Sequence, residues 1–200
     1  MDKERQRLLE ILREKSLKLG HFVLVSGQTS HYYFDSKFTT LDPEGAYLTA
    51  RLVLREISRA GIQAEAVGGL TLGADPIVSA VAAVSFACRQ EFSPLRAFIV
   101  RKEPKKHGTQ RFLEGLEAIP GTPVVIIDDV CTTGGSTLKA VRGAEEAGLN
   151  VTAVMCLVDR EQGGRETLSA YRFHPLFTAR ELLDDPAIQR RLEELAQGRG

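Results

Sequence analysis

Apolar and polar positions divide the chain into segments of different period. Between residues 4 and 18, Leu8, Leu9, Ile11 and Leu12, followed by Leu19, recur at helical spacing among charged residues, which predicts an opening amphipathic helix. Two short β-like pieces come next, "FVLV" and "HYYFD", parted by the small polar residues "SGQTS" of a turn. Asp42-Pro43 has the form of an N-cap with proline at the first helical position, and the helix it starts ends near Gly61.

A regular alternation then sets in. "AEAVGG" reads as a strand ending in glycines, and Asp75-Pro76 opens a helix running to about Gln90. "RAFIV" and "VVIIDD" are strands, the second apolar enough to be buried on both faces. "STLKAVRGAEEAG" is a helix closed by Gly148, "VTAVMCLVD" a strand, and the strand-like "YRFHPLFTA" and helical "IQRRLEELA" end the series. Strands alternating with helices imply right-handed crossovers, hence an α/β fold with a central, mostly parallel sheet flanked by helices. Ligands of such sheets bind beyond the C-terminal ends of the strands. The first 40 residues stand outside the alternation. They predict an N-terminal helix and small hood over residues 1–40, followed by an α/β core with C-terminal helices over 41–200.

Composition narrows the function classes. Acidic and basic residues balance at 26 each, so net charge gives no argument for nucleic acid or membrane, and any electrostatic site must be local. Three cysteines, Cys88, Cys131 and Cys156, with no CxxC, speak against a disulfide framework or a zinc site. The opening "MDKERQRLLEILREK" is too charged for a secretory signal, and no apolar run reaches membrane-spanning length. The expectation is a cytoplasmic protein with no membrane partner.

"VVIIDDVCTTGGS", residues 124–136, carries the chemistry. Asp128 and Asp129 end a buried strand, and Thr132, Thr133, Gly134, Gly135 and Ser136 turn into a helix. Backbone N–H groups at that helix start would face an anion, the glycines allow close approach, and the hydroxyls add donors. The stretch is neither a Walker A loop nor GxGxxG. Its two acids add acceptors for vicinal sugar hydroxyls beside a phosphomonoester. A strand end with capping residues would explain one acid and one hydroxyl, but not the whole set.

This stretch is similar to the phosphoribosyl pyrophosphate signature of the type I phosphoribosyltransferases. The resemblance implies that Asp128 and Asp129 hold the ribose 2′ and 3′ hydroxyls. Residues 132–136 would wrap the 5′-phosphate, with Val130 and Cys131 in the same binding segment. A second stretch, "RKEPKKHGTQRFLEG", would alone be an ordinary solvated charge run. Beside the signature it resembles the mobile catalytic loop of the orotate phosphoribosyltransferases, spanning about 102–115. On that resemblance Arg101, Lys102, Lys105 and His107 bind pyrophosphate, and Lys105 and His107 join the two acids in catalysis.

Other pieces agree. "GHFVLVSGQTSHYYFDSK" is similar to the family's hood, which puts Tyr33 and Phe34 where the orotate ring edge meets backbone, and the resemblance adds Thr132 to the base site. "VGGLTLGADPI" resembles its pyrophosphate loop, Gly69 to Gly73. "LVDREQGG" places Arg160 where a guanidinium would grip the orotate carboxylate. Val25 and Leu72 stand where many relatives have lysine. These changes bear on affinity for phosphoribosyl pyrophosphate, and Lys37 would take over part of the missing charge. The resemblance further implies magnesium carried mainly by the pyrophosphate, with no protein metal ligand, and a twofold homodimer with shared sites. Two other readings are transfer to a purine or uracil, which would leave Arg160 without a carboxylate, and a non-catalytic regulator binding nucleic acid. The latter needs a basic face that the balanced charge does not provide.

Overall fold

The protein is described here by a computed structural model covering residues 2–23, 29–102 and 113–198. The first helix, α1 (Lys3–Ile11), is capped by the Asp2 carboxylate, which accepts from the Glu4 amide. A wider helical turn, Leu12–Ser16, leads into β1 (Leu17–Val23), which pairs antiparallel with β2 (Thr29–Phe34). Leu19 therefore lies in a strand, opposite Tyr32, and not in the opening helix. Its helical spacing from Leu12 is overridden because pairing with β2 draws the chain out straight.

The N-terminal helix and the hood strands pack differently. Leu8, Leu9, Ile11 and Leu12 lie in the same buried cluster as the helix α3 (Pro43–Arg59), while β1 and β2 form their own two-stranded sheet. A short helix, α2 (Lys37–Thr40), joins the hood to α3, whose cap is Asp42, accepting from the Gly45 amide at 3.0 Å.

The core follows as β3 (Ala66–Leu70), α4 (Asp75–Ala87), β4 (Arg96–Val100), β5 (Leu113–Glu114), β6 (Pro123–Cys131), α5 (Gly135–Glu146), β7 (Asn150–Asp159), α6 (Gly164–Thr167), β8 (Phe173–Thr178), α7 (Ala179–Leu183) and α8 (Pro186–Ala196). The sheet order is β5-β4-β3-β6-β7-β8, with only β5 antiparallel to its neighbour. Strand period 2 sorts the core into two layers. Val125, Ile127, Met155 and Leu157 pack with α1, α3 and α4, whereas Val124, Ile126, Val154 and Cys156 pack with α5. Each such side chain stabilises the fold by about 1.5–3 kcal/mol when fully buried.

Strand order reverses between β3 and β6, so the two adjacent C-terminal ends there diverge into loops that pass to opposite faces. That opening is where an α/β sheet binds its ligand. Two boundaries differ from expectation. β6 continues past the acid pair to Cys131, because Val130 and Cys131 still pair with Val158 and Asp159 of β7. The basic loop ends earlier than 115, because Leu113 is buried and pairs with Val100. Among the described residues no helix is long and apolar enough to cross a membrane.

Candidate active site

The acid pair lies at the end of β6, beside the strand-order reversal. Asp128 is only 6% exposed. Its carboxylate accepts from the Asp129 amide at 3.0 Å and from the Thr137 hydroxyl, in the first turn of α5, at 2.6 Å. Burial pushes the Asp128 carboxyl up to about 7; the neighbouring Asp129 adds to the rise and the Thr137 hydroxyl opposes it. Asp129 points the other way. One of its oxygens, Oδ2, accepts from the Ser36 hydroxyl at 2.5 Å and lies 3.8 Å from the Lys37 ammonium. Its other oxygen, Oδ1, faces Gly73 so closely that a Cβ there would sit 2.3 Å away. The loop after β3 and the exit of the hood thus both reach the same carboxylate.

The turn from β6 into α5 has the form expected of an anion cradle. Gly134 caps α5 with φ of 80°, a left-handed conformation, and no side chain caps the helix. A Cβ on Gly134 would also press on Thr167 of α6 at 3.1 Å, so this glycine is required by the packing beneath the loop as well as by its dihedral. Thr133, Gly135 and Ser136 are open to solvent, while Thr132 is half-buried and Gly134 and Cys131 are buried. The exposed side of the turn therefore presents hydroxyls and helix-start amides together, the arrangement that suits a phosphate.

Arg160 follows β7 and is joined to this turn through its backbone: its amide donates to the Cys131 carbonyl at 2.8 Å. The guanidinium lies over the Tyr32 ring, 5.5 Å from its centroid. With Tyr32, Phe34, Val158 and Leu182 it lines a small apolar pocket under the hood. Among the described residues its Nε is buried without a hydrogen-bond partner, a costly state for a charged donor that a carboxylate would relieve.

The remaining expected residues divide. Phe34 is half-buried against the core and shares the Arg160 pocket, whereas the Tyr33 side chain turns outward against Phe22, with ring centroids 5.7 Å apart. Strand alternation puts Tyr32, not Tyr33, beside Arg160; period 2 in "HYYF" gives Tyr32 and Phe34 one face. Arg101 reaches Glu114 at 3.3 Å, across the β4–β5 pair. Arg101 and Lys102 also line an open groove with Lys139 and Arg142 of α5. That groove runs from the ends of β3 and β4, at Leu70 and Val100, to α5, and the acid pair is not among its lining residues. Lys105 and His107 lie outside the described residues, as does Val25. Leu72, 69% exposed, is in the loop that reaches Asp129. Ser36 and Thr137 were not foreseen. Thr137 falls just past the signature, and Ser36 reaches Asp129 across 93 residues of sequence.

Comparisons with known proteins match the chain as a whole. Residues 50–175 match the family model described as "Phosphoribosyl transferase domain". A curated orotate phosphoribosyltransferase from Synechocystis is 50% identical over 176 residues, covering 87% of this chain and 86% of the relative. Another, from Aquifex aeolicus, is 44% identical, covering 90% of this chain and 98% of the relative. The crystal structure of Mycobacterium tuberculosis orotate phosphoribosyltransferase in complex with phosphoribosyl pyrophosphate is similar with a TM-score of 0.74 and 32% identity, over 90% of this chain and 98% of that one.

Proposed function

Because the chain belongs to the phosphoribosyltransferase family, in its orotate branch, we propose that it joins orotate to phosphoribosyl pyrophosphate, giving orotidine 5′-monophosphate and pyrophosphate. A ring N–H of orotate gives up its proton and that nitrogen bonds C1′, as the C1′–O bond breaks and pyrophosphate leaves with its electron pair. The observation that carries this reading is the junction of Arg160 with the phosphate loop. Arg160, whose guanidinium Nε is buried without a partner among the described residues, is bonded through its backbone amide to Cys131, the residue before the turn that suits a phosphate.

Each side chain then has a task. Asp128 and Asp129 accept from the ribose hydroxyls, and residues 132–136 take the 5′-phosphate through helix-start amides and hydroxyls. Tyr32, Phe34 and Thr132 flank the base, and Arg160 takes its carboxylate, a group that purines and uracil lack. Arg101, Lys102, Lys105 and His107 stabilise the charge that develops on pyrophosphate, with His107 able to donate a proton. Residues 1–40 supply the N-terminal helix and the hood, and 41–200 the phosphoribosyl core with its C-terminal helices.

Among the described residues no three His, Cys, Asp or Glu side chains gather to hold a metal, while the acid pair offers the hard oxygen donors magnesium prefers. On the family resemblance, magnesium would enter mainly on the pyrophosphate and offset its charge. The unpaired thiols of Cys88, Cys131 and Cys156 suit the cytoplasm. The direct test mixes the protein with phosphoribosyl pyrophosphate, magnesium and each candidate base, and follows the ultraviolet absorbance of the base. Orotate alone should be consumed; equal consumption of uracil or adenine would contradict the assignment.

A twofold homodimer with shared sites completes the reading. Ala83 and Phe86 on α4, with Leu72 just before it, leave an exposed apolar strip on a helix that is apolar nearly all round, the kind of surface a second copy would cover. Mixing and refolding Lys105→Ala with Asp129→Ala tests this. If the loop works across the interface, mixed dimers contain one intact site, and activity returns to about a quarter of wild type for random pairing. No recovery, with mixed dimers present, would confine each loop to its own chain.

A further inference from the structure

We propose that Ser36 is a positioning residue for Asp129, holding that carboxylate in the orientation that receives the ribose; the proposal rests on the ribose-binding role given to Asp129 above. Ser36 stands at the N-cap of α2, where a serine hydroxyl ordinarily accepts from an amide of its own helix. Here it caps nothing. The neighbouring Asp35 carboxylate accepts from the Lys37 amide instead, at 3.1 Å. The Ser36 hydroxyl donates to Asp129 Oδ2 at 2.5 Å, and Ser36 is 1% exposed. A hydroxyl taken from its local cap and buried against a site carboxylate has its principal partner in the site.

The support behind Ser36 is fixed. The Asp35 amide donates to the Ser16 carbonyl at 3.0 Å, and the buried Ser16 and Thr39 hydroxyls meet at 2.7 Å. Thr39 and Thr40 amides donate to the Ser36 carbonyl. On the opposite side, the close approach of Gly73 bounds Asp129 Oδ1. The carboxylate is thus set between two backbone segments, with the Lys37 ammonium at its edge. An ionised carboxylate offers about four acceptor sites. Ser36 uses one, which fixes the side-chain rotamer and leaves acceptors for two ribose hydroxyls. The hood thereby touches the ribose site directly, and its role is not confined to covering the base.

The test is a double-mutant cycle on binding of phosphoribosyl pyrophosphate with magnesium, read by calorimetry for wild type, Ser36→Ala, Asp129→Ala and the double variant. Ser36→Ala should weaken binding roughly 10-fold, the scale of one hydrogen bond to a charged group. It should have no further effect once Asp129 is alanine, and it should leave the KM for orotate unchanged. Ser36→Cys, a near-isostere with a weaker donor, should fall between wild type and alanine, and it keeps the test open if the alanine variant does not fold. Full affinity in Ser36→Ala with lost affinity in Asp129→Ala would overturn the positioning role and leave the ribose assignment standing. An equal loss from Ser36→Ala in both backgrounds would also overturn it, as the mark of a merely structural serine. Full affinity in Asp129→Ala would remove the ribose assignment and the proposal together.

Discussion

Residues 128–137 assemble their part of the site within one strand–turn–helix unit, whereas Tyr32 and Phe34 reach Arg160, and Ser36 reaches Asp129, only because the hood and the short helix after it fold against the ends of β6 and β7. In the first region Asp128 bonds Thr137 nine residues on, and Gly134 takes up the left-handed turn between them. In the second, Ser36 bonds Asp129 across 93 residues and Arg160 stacks on Tyr32. The local unit should behave as a preformed cradle whose parts fail individually. The assembled half should be sensitive to anything that shifts the hood.

The largest effect that sharpens this contrast lies within the cradle. Gly135 has no positive φ, and a Cβ placed on it meets nothing nearer than the Thr133 hydroxyl at 3.9 Å. Gly135→Val should therefore fold normally yet place its branches where the phosphate sits, lowering kcat/KM on the order of 100-fold through displaced substrate. Gly134→Val should lose both activity and stability, the latter by on the order of 1–3 kcal/mol for a β-branched residue at positive φ. Thermal melts and kinetics on the two variants separate the cases. If Gly135→Val loses as much stability as Gly134→Val, the turn is structural throughout and the comparison breaks.

A smaller effect follows from the acid pair. In the folded chain the Asp128 carboxyl is raised from 3.8 to about 7, first by burial. The folded state then holds a proton that the unfolded state has released, so unfolding is opposed less as pH rises. This contribution is fully present below about 3.8 and is lost as pH climbs through about 7. Asp128→Asn, which mimics the protonated acid, should flatten that part of the pH dependence of the melting midpoint. An unchanged slope in the variant would assign it to other groups.

What the sequence disclosed follows the same division. The parallel order and the phosphate turn were legible because each depends on residues near one another in the chain: apolar period 2, Asp-Pro helix starts, and glycines next to hydroxyls. Leu19 was misread because its spacing fits a helix until β2 is known to pair with it. The contact of Tyr32 with Arg160 was not legible beforehand: alternation puts Tyr32 and Phe34 on one face, but which face meets Arg160 is set by register with the rest of the molecule. Ser36 carries no local signal at all, since its role is created by contact with Asp129.

The comparison assigns recognition of the base to Tyr32, Phe34 and Arg160 and recognition of the sugar phosphate to the local unit, which Ser36 supports from outside, and Arg160→Ala tests that division most directly. Loss of a buried charged partner typically costs about 2–5 kcal/mol. The Michaelis constant for orotate should therefore rise roughly 30-fold or more, since about 1.4 kcal/mol is tenfold. The constant for phosphoribosyl pyrophosphate should stay within a few-fold of wild type. An equal rise in both would contradict the account and remove Arg160 from the base site.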